Sequence, residues 1–252
     1  MSERFFLDTP PAGGRAILTG DEARHLARVM RASVGDRVEL FDGRGHAWLA
    51  EVRTLGRGQV ELDLLDDGSC DEGNAHLPPT ATSGTPPRTL TIATALPKGD
   101  RQKWMVEKLT ELGAARLVPL STARSVAEAT PSALARLQRQ VIEACKQCRR
   151  NQLLEITEPL SLQEACGSRD ADTLGLLTDP EGQPAATLLS SLPKTILALV
   201  GPEGGFTDDE RQFALDAGFQ PVRLSPHILR VETAAVALAA AANGLAAATE
   251  EG

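Results

Sequence analysis

From Thr89 onward, short apolar runs alternate with stretches whose apolar residues recur every three or four positions. Strands regularly separated by helices cannot pair as hairpins, so this pattern demands a mainly parallel sheet covered on both faces. The expected strands are Leu90–Ala95, Arg116–Leu120, Leu153–Ile156, Thr173–Leu177, Ile196–Val200 and Pro221–Leu224. Between them, helices are expected over Gln102–Leu112, stopped by Gly113, and after Thr130 as cap with Pro131 at the first position. Further helices are expected over Ser161–Cys166, near Ala185–Leu189, over Asp208–Ala217 and from about Glu232. Ligands of such sheets bind outside the carboxyl ends of the strands.

The first 65 residues follow a different rule. Val38–Phe41, Ala47–Val52 and Val60–Leu65 read as short strands, and Asp42-Gly43-Arg44-Gly45 is a strong turn between the first two. A single helix is expected over Asp21–Arg31, with Ala23, Leu26, Ala27 and Met30 on one face. Together these read as a small β-barrel with one helix. Between Asp66 and Arg88 the residues are Asp, Gly, Ser, Thr and Pro with almost nothing apolar, which is linker chemistry. The expected organisation is a barrel over 1–66, a linker over 67–88 and an α/β domain over 89–252.

No stretch is long and apolar enough to span a bilayer; the alanine-rich tail from Ala234 is interrupted by Asn243 and Gly244. Met1-Ser2-Glu3-Arg4 lacks the basic-then-apolar pattern of a signal peptide, so a cytoplasmic address is expected. Net charge is −8, against a wholly basic nucleic-acid binder. The distribution is uneven: residues 89–155 carry eleven Lys/Arg against six Asp/Glu, and 156–252 five against fourteen. A basic middle segment suits either a phosphate-facing patch or a solvated helix face. Cys145-x-x-Cys148 invites a metal or redox reading. Leu134, Leu137, Val141, Cys145 and Cys148 share helical spacing, however, and no second Cys or His pair completes a site. Buried structural thiols are expected, and no metal.

Two loops carry the chemistry. The apolar strand ending at Val200 runs directly into Gly201-Pro202-Glu203-Gly204-Gly205-Phe206, where glycines let a ligand approach the backbone closely. Thr207-Asp208-Asp209-Glu210 then reads as a capping box that starts a helix. No Walker lysine is present, and aspartates at the helix start would repel a phosphate, so a cationic or neutral ligand fits better. The second loop, Leu224-Ser225-Pro226-His227-Ile228-Leu229-Arg230-Val231-Glu232-Thr233, places an Arg, a Glu and a Thr where a strand hands over to an alanine-rich helix.

These loops resemble those of the ribosomal RNA small subunit methyltransferase E family of the SPOUT superfamily. The likeness extends to Phe41-Asp-Gly43, Lys98-Gly99, Lys108-Leu-Thr-Glu-Leu-Gly113, Arg124-Ser125 and Glu143-Ala-Cys-Lys-Gln-Cys-Arg-Arg-Asn151, in the family's order and approximate spacing. The resemblance implies a PUA-like barrel and a knotted α/β methyltransferase domain. It also implies a homodimer with its site near the subunit interface, S-adenosyl-L-methionine as donor, and the N3 of a uridine in 16S ribosomal RNA as acceptor. Leu177, Gly201, Pro202, Glu203, Gly204, Leu224, Ser225, Ile228, Leu229 and Thr233 would hold the donor. Arg230 would stabilise the uracil oxygens as they gain charge, and Glu232 would orient Arg230 or take the proton. Lys98, Arg101 and Arg124, on strand-end loops of the basic segment, read as phosphate or uridine contacts, and Arg4, Arg24, Arg28 and Arg31 in the barrel suit either the RNA backbone or a solvated surface. One departure is local: Ser225-Pro226-His227 stand where the family commonly carries a Leu-Gly before Ile-Leu-Arg, which bears on how closely the backbone approaches the adenosine. Two alternatives stay open on the residues, a knotted methyltransferase with a ribose or guanine acceptor and a non-catalytic assembly factor.

Overall fold

The computed structural model describes residues 3–65, 89–190 and 193–247. The expected linker and Cys70 lie outside the described residues. The chain divides into two compact units, Met1–Thr85 with Cys145–Leu153, and Pro86–Ala144 with Leu154–Gly252. Among the described residues, no helix is long and apolar enough to cross a membrane.

The first unit is a five-stranded sheet in the order β1-β3-β4-β5-β2: β1 (Arg4–Phe6), β2 (Arg15–Thr19), β3 (Arg37–Phe41), β4 (Ala47–Leu55) and β5 (Gln59–Leu64). The pairings are antiparallel except β1 with β3. β1 and β2 escape the sequence reading. β1 is only three residues long, and β2 alternates correctly but points Ile17 outward, 52% exposed, which disguises the period. The β3–β4 turn forms as expected: the Asp42 carboxylate accepts from the Arg44 and His46 backbone N–H groups. Gly43 is required there, because its φ is +73° and a Cβ would lie 2.6 Å from Leu153 Cγ.

The expected helix over Asp21–Arg31 is corrected. It is α1 (Gly20–Arg24) followed by a π-helical turn, His25–Val29, closed by the Met30 N–H on the His25 carbonyl. The wider turn leaves Ala23 and Leu26 buried but rotates Met30 off the core face, to 39% exposure.

Arg4 is a second correction. Its side chain is 3% exposed, its Nε lies 3.0 Å from Glu39 Oε1, and its Nη groups donate to the Cys145 carbonyl and to Asn151 Oδ1. Burial pulls the guanidinium below its usual pKa, while Glu39 opposes the shift. A side chain so enclosed joins the sheet to the segment Cys145–Leu153 and has no surface to offer RNA. Arg24, Arg28 and Arg31 are exposed.

The second unit is the expected parallel sheet. Its strands are β6 (Thr89–Thr94), β7 (Arg116–Ser121), β8 (Glu155–Ile156), β9 (Leu160–Ser161), β10 (Leu174–Pro184), β11 (Thr195–Val200) and β12 (Gln220–Arg223). They run in the order β12-β10-β11-β6-β7-β8, with β9 beside β7 and every pairing parallel. The helices are α2 (Arg101–Glu111), α3 (Pro131–Cys148), α4 (Leu162–Gly167), α5 (Ala185–Leu189), α6 (Asp208–Asp216) and α7 (Val231–Ala247). Side chains of β11 alternate between two cores. Leu197 and Leu199 cluster with Leu162, Ala165 and Ala214 from α4 and α6, while Ile196 and Ala198 are buried on the other side. α7 packs on β6 and β11 and against α2 and α5. Leu137, Val141 and Cys145 form the buried stripe of α3; Leu134 and Cys148 lie at its edge, half-buried.

Candidate active site

β11 is apolar on both faces and leaves the sheet at Val200, so the chain must turn at once or run into solvent. It turns through Gly201–Phe206. The Gly205 N–H donates to the Pro202 carbonyl at 2.8 Å, and Gly205 has a φ of +70°. Phe206 folds back so closely that a Cβ on Gly201 would touch its ring at 3.1 Å. The turn is held from both ends. Thr207 and Glu210 form the expected capping box at the start of α6, and Glu210 Oε1 also accepts the Ala123 N–H at 2.8 Å. Arg124 Nη1 donates to the Gly204 carbonyl at 2.7 Å and the Phe206 carbonyl at 3.4 Å. In this structure Arg124 is therefore a brace on the glycine turn.

β12 ends at Arg223, and the following turn needs no glycine. The Ser225 hydroxyl accepts the His227 N–H at 3.0 Å, and no residue from 225 to 227 has a positive φ. The third element is the carboxyl half of β10. Thr178 Oγ1 donates to the Leu199 carbonyl at 3.1 Å, tying β10 to β11. Asp179, 9% exposed, accepts the Glu181 N–H on Oδ1 at 2.8 Å and Arg211 Nε on Oδ2 at 2.6 Å. Asp179 holds the Arg211 guanidinium above its ordinary pKa.

These three elements line a cavity of about 380 Å³. Leu177, Gly201, Pro202, Glu203, Gly204, Leu224, Ser225, Ile228 and Leu229 all line it. Thr233 does not: it is exposed on α7, which corrects its expected place in the slot. Asp179 and Arg211 line the wall and were not anticipated, although Asp179 follows the expected Leu177 by two residues on β10. A Cβ at Gly204 would meet Arg124 Cδ at 3.2 Å, so a side chain there would press on that brace.

Arg230 and Glu232 stand beside the cavity rather than on its wall. Arg230 is exposed, and its guanidinium has no ion-pair partner among the described residues. Glu232 is 5% exposed, and its Oε2 is buried without a hydrogen-bond partner. Its cation is Arg101, with Nη1 3.6 Å from Glu232 Oε1 and Nη2 4.0 Å from Glu203 Oε1. Glu232 thus faces Arg101, not Arg230. Lys98 is exposed, with no ion-pair partner among the described residues. Among the described residues, no group of three His, Cys, Asp or Glu side chains is arranged to hold a metal ion.

Residues 85–243 match an RNA methyltransferase domain and residues 18–65 an RNA methyltransferase PUA domain. A ribosomal RNA small subunit methyltransferase E from Synechocystis sp. is 34% identical over 236 residues, covering 90% of this chain and 72% of that one. The chain belongs to the ribosomal RNA small subunit methyltransferase E family. The family member from Mycobacterium bovis is 32% identical over 94% of this chain and 89% of its own. The family member from Neisseria gonorrhoeae, solved bound to S-adenosyl methionine, superposes with a TM-score of 0.83 at 30% identity, over 97% of this chain and 98% of that one. The fold is thus α/β, with a small N-terminal PUA domain and a C-terminal RNA methyltransferase domain.

Proposed function

We propose that this chain transfers a methyl group from S-adenosylmethionine to the N3 of a uridine in 16S ribosomal RNA. The observation that carries the reading is the cavity formed by the turns after β11 and β12 and the carboxyl half of β10. Its volume lies in the range of small-molecule sites, roughly 300 to 1,000 Å³. Its walls suit a nucleoside, with backbone groups bared by glycine and apolar Leu177, Leu224, Ile228 and Leu229. The donor supplies an electrophilic methyl carbon on a sulfonium.

The protein's residues do the rest. Uracil N3 must lose its proton, and negative charge gathers on the flanking ring oxygens. Arg230, between cavity residues Leu229 and Val231, has a free guanidinium to receive that charge. Glu232 is buried with an oxygen that lacks a donor, the condition of a carboxylate able to accept the N3 proton. Arg101, with Nη1 3.6 Å from Oε1, holds that carboxylate in place. Lys98 and the exposed Arg24, Arg28 and Arg31 are the proposed contacts for RNA phosphate.

The same reading includes closure of the N-terminal sheet as a barrel, the knotted SPOUT topology, a homodimer, and cytoplasmic action on the small ribosomal subunit. Ile228 on the cavity wall is 89% exposed, the sort of apolar edge a second copy covers. The test is incubation with labelled donor and small subunits from cells lacking the gene, followed by nucleoside analysis. Label in 3-methyluridine is expected. Label in a 2′-O-methylated nucleoside or a methylguanine would reassign the acceptor; donor binding without label would favour an assembly factor.

A further inference from the structure

The cavity wall holds an ion pair that the roles above leave unused. Asp179 is fixed on both oxygens, by the Glu181 N–H and by Arg211 Nε. Engagement through Nε orients the guanidinium plane and leaves both Nη groups of Arg211 without a partner among the described residues. An arginine held by one edge presents its remaining N–H groups as a fork, the shape that matches a carboxylate. Because the side chain is already ordered, less rotamer freedom is lost when a ligand arrives. The other charged groups on the wall are less prepared: Glu203 faces Arg101, and Arg223 and His227 are exposed.

A sulfonium donor has two unlike ends, a neutral nucleoside and a zwitterionic amino acid. The glycine turns and leucines suit the first and offer little to the second. Arg211 and Asp179 put a fixed cation and a fixed anion side by side on the cavity wall, 2.6 Å apart. We infer that Arg211, oriented by Asp179, binds the α-carboxylate of the methyl donor's amino-acid head. The inference rests on the donor proposed above and assigns it a subsite outside the two glycine and serine turns. It also gives β10 a part in donor choice, since Asp179 belongs to that strand.

Two ligands that differ only in the head separate this role from a structural one. S-adenosylhomocysteine carries the amino acid, and 5′-methylthioadenosine is the same thioether nucleoside without it. Calorimetric titration of the full chain should show wild type preferring the first. Arg211→Ala should weaken S-adenosylhomocysteine by about ten- to a hundredfold and leave 5′-methylthioadenosine within twofold, which also certifies a folded cavity. Arg211→Lys should recover part of the loss, keeping the charge without the fork. Equal weakening of both ligands, or no change in either, overturns the assignment. If wild type binds neither, the methyltransferase reading falls first and this subsite with it.

Discussion

At Arg4 a guanidinium is withdrawn from water and answered by Glu39, Asn151 and the Cys145 carbonyl, with Arg149 Nη1 also 3.5 Å from Glu39 Oε2. Such a pair adds little over an apolar packing but is costly to break, because the surviving charge stays buried. Arg4→Ala should therefore lower unfolding free energy by about 3 kcal/mol, read from urea denaturation. RNA affinity of the folded protein should stay unchanged; a selective loss of RNA binding would restore Arg4 to the surface role. Arg230 is the opposite case, exposed and without a partner among the described residues, so its removal disturbs no packing. Arg230→Ala should cut turnover by about a hundredfold or more with donor affinity within twofold. Ordinary turnover would take Arg230 out of the reaction.

The elements that carry the site are strand ends, and their turns are local in sequence, which is why they were legible. A run as apolar as Thr195–Val200 followed by glycines allows few conformations, and Thr207 to Glu210 spells its own cap. Thr207→Ala should cost about 1 kcal/mol; a shift in the thermal midpoint with unchanged calorimetric enthalpy per residue would check it. What sequence could not show was which distant groups meet. Arg124 reads as an open cation until its bond to the Gly204 carbonyl is seen, and Glu232 sits beside Arg230 in sequence yet turns to Arg101. The pairing of Asp179 with Arg211 likewise depends on β10 lying between β11 and β12 in the sheet. In the first unit the π turn escaped because its wider ring changes the face on which Met30 falls, and no residue type announces that change.

For the whole molecule, the net charge of −8 means that RNA must be drawn by local patches against a repulsive background. If Arg24, Arg28 and Arg31 each neutralise a phosphate, replacing all three with alanine should lower the slope of log affinity against log salt by about 2 to 3. An unchanged slope would place the RNA elsewhere. The exchange of Cys145–Leu153 between units also bears on inheritance. Arg149 and Asn151 meet Glu39 and Arg4, and Leu153 lies under Gly43, although over a hundred positions of chain intervene. Grafting the front of one homologue onto the back of another at residues 67–88 would separate partners that must change together. Such chimeras should aggregate unless the short distant stretch travels with the graft, so the two halves are bound to diverge as one hereditary unit.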